Sequence, residues 1–169
     1  MKRILLFLFI LAFCSGLTIS LIFAPKTSTK PKTDLNLPNL TLKTDTGQKI
    51  NFSKDINNKT ILLFWLPKSN SCQKQLQILE ETKTKLQKEI KVYGVSIGNI
   101  PSDELNKIKK ENSITYPLVI DREAKLSEKL LISAIPTMIF INSEGTIVEE
   151  HVGLMNKEDL ERTINSMTQ

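Results

Sequence analysis

The chain has 169 residues, 40% of them hydrophobic and 24% charged, with a formal net charge of +5. That is the size and balance of one globular domain plus a short extra segment. Lys2 and Arg3 supply two of the positive charges and no basic stripe interleaved with aromatics follows, so the composition argues against a nucleic-acid partner.

The first feature along the chain is Ile4 to Ala24, a run of 21 residues without a charge. As a helix it rises about 30 Å, enough to cross a bilayer core. Lys2 and Arg3 before it place the N-terminus on the cytoplasmic side and the rest of the chain outside. A cleaved signal peptide would need a cut after Ala24, with Pro25 next and bulky Ile22 before it. A lipoprotein would use Leu11-Ala12-Phe13-Cys14, where Phe13 is too large. A retained signal-anchor helix over residues 1–24 is therefore expected. Residues 25–38, rich in Pro, Lys and Thr, read as a tether, and residues 39–169 as the folded domain.

From Leu40 the pattern becomes globular. Leu40-Thr41-Leu42 and Lys49-Ile50-Asn51-Phe52 alternate around the turn Thr44-Asp45-Thr46-Gly47-Gln48, which predicts a β-hairpin. Thr60 to Leu66 is an almost unbroken apolar run, as in a central parallel strand. Residues 72–89 carry a helical stripe through Leu76, Leu79 and Leu86. Lys91 to Gly98 reads as a strand, and Pro101-Ser102-Asp103-Glu104 opens a helix through Leu105 and Ile108. Tyr116 to Ile120 is extended, and Ala124 to Leu131 is helical. Thr137–Ile141 and Thr146–His151 are strands joined by the turn Asn142-Ser143-Glu144-Gly145. Lys157 to Met167 is a final amphipathic helix. This order predicts an α/β three-layer sandwich, a mixed β-sheet flanked by helices with an N-terminal β-hairpin.

The loop Pro67-Lys68-Ser69-Asn70-Ser71-Cys72 between that central strand and its helix is the candidate site. In a dithiol enzyme a C-x-x-C pair sits at such a helix start, where free N–H groups and the helix dipole stabilise a thiolate. Here the pair reads Ser69-x-x-Cys72, and a serine hydroxyl ionises far too weakly to attack a disulfide. With Cys14 in the apolar run, Cys72 is the one cysteine of the outer domain, either a free thiol or an intermolecular partner.

Taken in order, Leu37-Pro38-Asn39-Leu40, Asp45 to Ile50, Phe64-Trp65, Tyr116 to Asp121, and Ala134 to Asn142 with Glu144-Gly145 resemble the thioredoxin superfamily. The chain is most similar to the membrane-anchored TlpA/ResA-like thiol–disulfide oxidoreductases, relatives of the AhpC/TSA redoxins, over residues 35–167. The resemblance implies a cis Ile135–Pro136 bond facing the loop, and an Ile135 backbone that pairs with an extended substrate. It implies Ser69 and Cys72 as a degenerate catalytic pair, and Ile135, Pro136 and Trp65 as substrate-binding residues. It also implies clients that are thiol-containing or extended polypeptides, and a membrane electron donor. No cofactor and no metal are expected.

The departures from that family fall on the chemistry. Ser69 stands at the attacking cysteine, Leu63 at a buried acid of the preceding strand, and Gln75 at a glutamate after the second cysteine. Lys68 stands at the aromatic before the pair. Together they predict a binding module without ordinary dithiol turnover. The alternative is single-thiol redox chemistry at Cys72, peroxidase-like or as a monothiol reductase. His151, the single histidine, lacks neighbours at ligand spacing and reads as a strand-end surface residue. A Ser69–Asp121–His151 triad lacks the nucleophile elbow that would support it.

Overall fold

The computed structural model describes residues 36–83 and 90–167. The Ile4–Ala24 segment and Cys14 lie outside the described residues. Among those described, no helix is long and apolar enough to cross a membrane.

Seven strands form one sheet: β1 (Thr41–Thr44), β2 (Lys49–Asn51), β3 (Thr60–Trp65), β4 (Lys91–Ile97), β5 (Leu118–Asp121), β6 (Thr137–Ile141) and β7 (Ile147–Val152). Their order across the sheet is β2-β1-β5-β4-β3-β6-β7. β3, β4 and β5 are parallel to one another. β6 is antiparallel to β3, β7 to β6, and the β1–β2 hairpin adds antiparallel to β5. The mixed sheet and its hairpin are those the sequence predicts. Five helices accompany them among the described residues: α1 (Phe52–Asp55), α2 (Asn70–Lys83), α3 (Ser102–Glu111), α4 (Lys125–Lys129) and α5 (Lys157–Ser166).

All six residues of β3 are buried, which is why its sequence is apolar on both faces. Ile61, Leu63 and Trp65 join Leu76 and Leu79 of α2, Leu105 and Ile108 of α3, and Leu160 and Ile164 of α5 in one core. Leu62 and Phe64 face the other way, into a second core with Phe52, Leu126, Leu130, Ile139 and Ile141. The sheet is thus the middle layer, with α2, α3 and α5 on one side and α1 and α4 on the other. Contact with the domain begins before residue 39: Leu37 is buried in the second core, and Asn36 forms a β-bridge with Thr146.

Gly94 of β4 is fixed by packing. A Cβ there would lie 2.6 Å from Leu118 Cδ2 and 3.2 Å from the Tyr116 ring. The missing side chain lets Tyr116 close under α2, where its hydroxyl donates to the Leu76 carbonyl at 3.1 Å. Burial, and then the nearby Glu80 carboxylate, hold the Tyr116 phenol well above its ordinary pKa.

The hairpin is pinned by one carboxylate. Asp45 accepts the Leu118 N–H at 3.0 Å through Oδ1 and pairs with Lys109 of α3 through Oδ2. The turn reading of Thr44 to Gln48 missed this second role.

Several boundaries differ from the expected ones. α1 was not predicted. It is a single turn started by Asn51, whose side-chain oxygen accepts the Lys54 N–H at 3.2 Å. α2 begins at Asn70 rather than Cys72, because Ser69 caps it. α4 is five residues long, cut at Leu130 by a left-handed residue, Leu131.

Candidate functional site

β3, β4 and β5 end at one pole of the sheet, where β6 begins and β7 returns. The site loop leaves β3 at this pole. Its backbone closes on itself: the Ser69 N–H donates to the Leu66 carbonyl at 3.3 Å and the Gln73 N–H to the Ser69 carbonyl at 3.0 Å. The Gln73 side-chain amide crosses the loop to the Pro67 carbonyl at 2.8 Å.

Ser69 is the residue before the helix, and its Oγ accepts the Cys72 N–H at 3.3 Å. This is an N-cap bond to the third helical residue, which satisfies one of the four free N–H groups at a helix start. Ser69 Oγ also lies 3.0 Å from Ser71 Oγ. The hydroxyl that stands where the resemblance places an attacking sulfur is therefore engaged in holding the helix. Cys72 has no exposed surface and packs in the first core with Trp65 and Leu76. It is a free thiol.

Leu63 is likewise fully buried in that core. Gln75, one turn after Cys72, is fully buried, and its Oε1 accepts the Met155 N–H at 2.7 Å. The amide joins α2 to the segment before α5. Its Nε2 and the Trp65 Nε1 are buried donors with no acceptor among the described residues. Trp65 is enclosed beneath the loop with no exposed surface.

The Ile135–Pro136 peptide bond is cis, as the resemblance implies. Phe64 faces Thr137 across β3 and β6, so Pro136 falls beside Trp65 at the point where the loop begins. The Pro136 carbonyl accepts the Gly153 N–H at 2.7 Å, and Thr137 Oγ1 donates to the Ala134 carbonyl at 2.8 Å. The N–H and C=O of Ile135 between them have no partner among the described residues. A residue beside a strand start with both backbone groups open is a place where another chain can pair.

This pole also carries the large apolar side chains most exposed among the described residues: Leu66 (38%), Leu131 (61%), Val152 (39%) and Leu154 (43%). Leu66 follows β3, Leu131 lies between α4 and β6, Val152 ends β7 and Leu154 follows it. Leu131 is unusual twice over, since its φ is +55°. It occupies the left-handed position of a helix stop in which the Leu131 N–H bonds the Glu128 carbonyl and the Ile132 N–H bonds that of Ser127. Glycine is the usual residue at such a position.

The triad is excluded by distance and by occupancy. Asp121 is buried, and its carboxylate accepts the Leu126 N–H at 3.1 Å, the Ser127 N–H at 2.9 Å and the Ser127 hydroxyl at 2.7 Å. Its role is to start α4, which the sequence reading did not identify. His151 on β7 is four strands from β5, roughly 19 Å at about 4.8 Å per strand. It lies near the end of β7, as expected, but is half-buried opposite Met138 with Nε2 enclosed rather than on the surface. No cluster of metal-ligating side chains occurs among the described residues.

Comparison with known proteins gives a consistent answer. The profile of the AhpC/TSA family matches residues 34–150. The chain is 28% identical over 136 residues to the thiol-disulfide oxidoreductase ResA of Bacillus cereus, covering 78% of this chain and 76% of that protein. Among solved structures it is similar to StoA of Bacillus subtilis, with a TM-score of 0.64 at 25% identity, covering 78% of this chain and all of that one. A DsbF homologue of Corynebacterium diphtheriae shares the fold, with a TM-score of 0.69 at 19% identity over 78% of this chain and 85% of the other.

Proposed function

This chain belongs to the AhpC/TSA family of thioredoxin-like proteins, and we propose that it is a membrane-tethered, extracytoplasmic member of the thiol–disulfide oxidoreductase class. In this reading it binds thiol-containing or extended polypeptides and carries out no ordinary dithiol turnover. The name of its relative ResA, a thiol-disulfide oxidoreductase, supports the class.

One observation carries the loss of turnover: Ser69 Oγ accepts the Cys72 N–H as a helix cap. In dithiol reduction, a first thiolate attacks the client disulfide and releases one client thiol. A second thiolate then displaces the client and leaves the protein oxidised. Ser69 supplies no first thiolate. A mixed disulfide formed at Cys72 would have no neighbouring thiol to resolve it, and Cys72 is covered by the core. Leu63 and Gln75 provide no carboxyl group for the accompanying proton. Binding is supported by the open backbone of Ile135 and the exposed apolar side chains around it.

An insulin-reduction assay with dithiothreitol as electron source tests the reading on the full-length chain in lipid nanodiscs. The expected rate is that of buffer, with Cys72→Ala indistinguishable from wild type. A rate above buffer that Cys72→Ala abolishes overturns it in favour of a monothiol reductase. Sulfenic acid trapped at Cys72 under peroxide overturns it in favour of a peroxidase.

Tethering rests on the uncharged Ile4–Ala24 run. The protein is expected to stay with membranes through an alkaline wash. A mature N-terminus near Pro25, or a lipid on Cys14, overturns the retained anchor.

A further inference from the structure

The two edges of the sheet are finished differently. β2 closes one edge with three residues. β7 forms the other with six, Ile147–Val152, and has β6 on its inner side. On the outer side the described backbone pairs at one point, an antiparallel bridge between Asn36 and Thr146 just before β7 begins. A six-residue edge is a template for a further strand, and the bridge shows which chain arrives beside it.

Asn36 is the first described residue. Continued in the same antiparallel sense, the residues before it would run along β7 from Ile147 toward Val152. Leu35 would then fall opposite Ile147. Ile147 is buried in the second core, as is Leu37, which shares a face with Leu35 in an extended chain. Beyond Ile147, β7 carries one extra residue: Ile141 of β6 faces Ile147, but Phe140 faces Glu149. A regular strand on the outer side passes this bulge in the same way. Thr33 would fall opposite Glu150, and Lys32 opposite His151. Glu149 and His151 face Phe140 and Met138, both of the first core. Lys32 would join that face, with its ammonium group in reach of the Glu149 carboxylate. Pro31, which has no N–H, ends such a pairing. Apolar meets apolar and cation meets anion in this one register.

The path also sets an orientation. β7 starts at the end of the sheet opposite the site and finishes at the site pole. A paired segment delivers the chain to that pole, and residues 25–31 then span at most about 25 Å to the end of the Ile4–Ala24 run. Without pairing, residues 25–35 span up to about 40 Å from the far pole and impose no orientation. We propose that residues 32–35 add to the outer edge of β7 as a short antiparallel strand and thereby turn the Ser69–Cys72 loop and Ile135 toward the bilayer. The orientation rests on the retained-anchor reading above; the strand does not.

Hydrogen exchange followed by mass spectrometry, on the full-length chain in nanodiscs, tests the strand. The comparison is the double variant Lys32→Glu, Leu35→Asp, which sets like charge beside Glu149 and a carboxylate over Ile147. Amides of residues 32–35 are expected to exchange at least about tenfold more slowly in wild type than in the variant, with β3 equally protected in both. Equal rates at residues 32–35 overturn the strand, since β3 reports that both proteins are folded. Orientation is read from quenching by headgroup-spin-labelled lipid. The fluorophore sits on Leu154→Cys at the site pole or on the exposed Ser143→Cys at the other, each with Cys14→Ser and Cys72→Ala. The Leu154→Cys probe is expected to be quenched more strongly, and the double variant to lose the difference. Equal quenching at the two poles with the native tether overturns the orientation. A protein released by a cut near Pro25 overturns the orientation too, and leaves the strand to be decided by its exchange rates, because residues 32–35 remain.

Discussion

β3 and β5 run parallel, end at the same pole and each hand the chain to a helix, yet the two junctions are built differently. After β5, Asp121 is buried and accepts three hydrogen bonds, all from Leu126 and Ser127 in the first turn of α4. After β3, α2 is capped by one hydroxyl, Ser69, with one bond at 3.3 Å. The β5 junction is densely bonded: both carboxylate oxygens of Asp121 have donors. The β3 junction is thinly held and sits beside an open backbone at Ile135 and a cluster of exposed apolar side chains. A polar group that is fully satisfied in the core reads as fold. A sparsely satisfied one among exposed apolar residues reads as a place where something binds.

The largest effect should come from the densely bonded junction. Asp121→Ala leaves two backbone N–H groups and a hydroxyl without their acceptor in the core, and should cost about 3 kcal/mol of stability. Urea denaturation measures it. A loss under about 1 kcal/mol would mean that the two junctions are not different in kind.

Ser69→Cys puts a sulfur where the Cys72 N–H already points. Oxidation should close a short loop to Cys72 and stabilise the oxidised form over the reduced one by about 2 kcal/mol. Denaturation with and without reductant, beside a count of alkylatable thiols, reads this out. Two free thiols persisting under oxidant would show that the junction cannot seat a pair. Turnover should remain poor even in this variant, because Leu63 and Gln75 are unchanged.

Ser69→Ala removes the cap alone and should cost about 1 kcal/mol, while Ser69→Asp retains it. Equal stability of all three proteins would make the Ser69–Cys72 bond idle.

The smallest effect should be a gain. Leu131→Gly relieves a left-handed leucine and should stabilise the fold by about 0.5–1 kcal/mol. The same change should weaken binding of an extended polypeptide if the exposed leucine is kept for contact. Stabilisation without any loss of binding would remove Leu131 from the surface that distinguishes the β3 junction.

Much of the fold is legible in the sequence because its signals are local. The unbroken apolar run of β3, the hairpin turn before β7 and the cap-like opening of α3 each act within a few residues. The Ile135–Pro136 geometry and the Ser69–Cys72 spacing were readable from the order of motifs. The roles of Asp121, Gln75 and Asp45 were not. Asp121 stands at a strand end, where an acid is unremarkable, and its three donors become visible only when α4 folds back over it. The partner of Gln75, the Met155 N–H, is 80 residues away, and no periodicity reports such a pairing. The start of α2 was misplaced by two residues because its apolar stripe begins at Cys72, whereas the cap at Ser69 sets the boundary. The exposure of Leu131 is equally silent in the sequence, where it continues the apolar pattern of α4.

The Asp45 anchor bears on the order in which the molecule can be assembled. Its partners, Lys109 and the Leu118 N–H, lie 64 and 73 residues downstream. The β1–β2 hairpin therefore leaves the ribosome long before the strand it docks on exists. Until β5 emerges, its alternating face has no sheet to join, and contacts so distant in sequence close slowly. The first strands of the sheet to be synthesised are thus among the last to be fixed. A nascent chain arrested before Leu118 has cleared the ribosomal exit should show the hairpin open to protease, and one arrested well beyond Asp121 should show it protected.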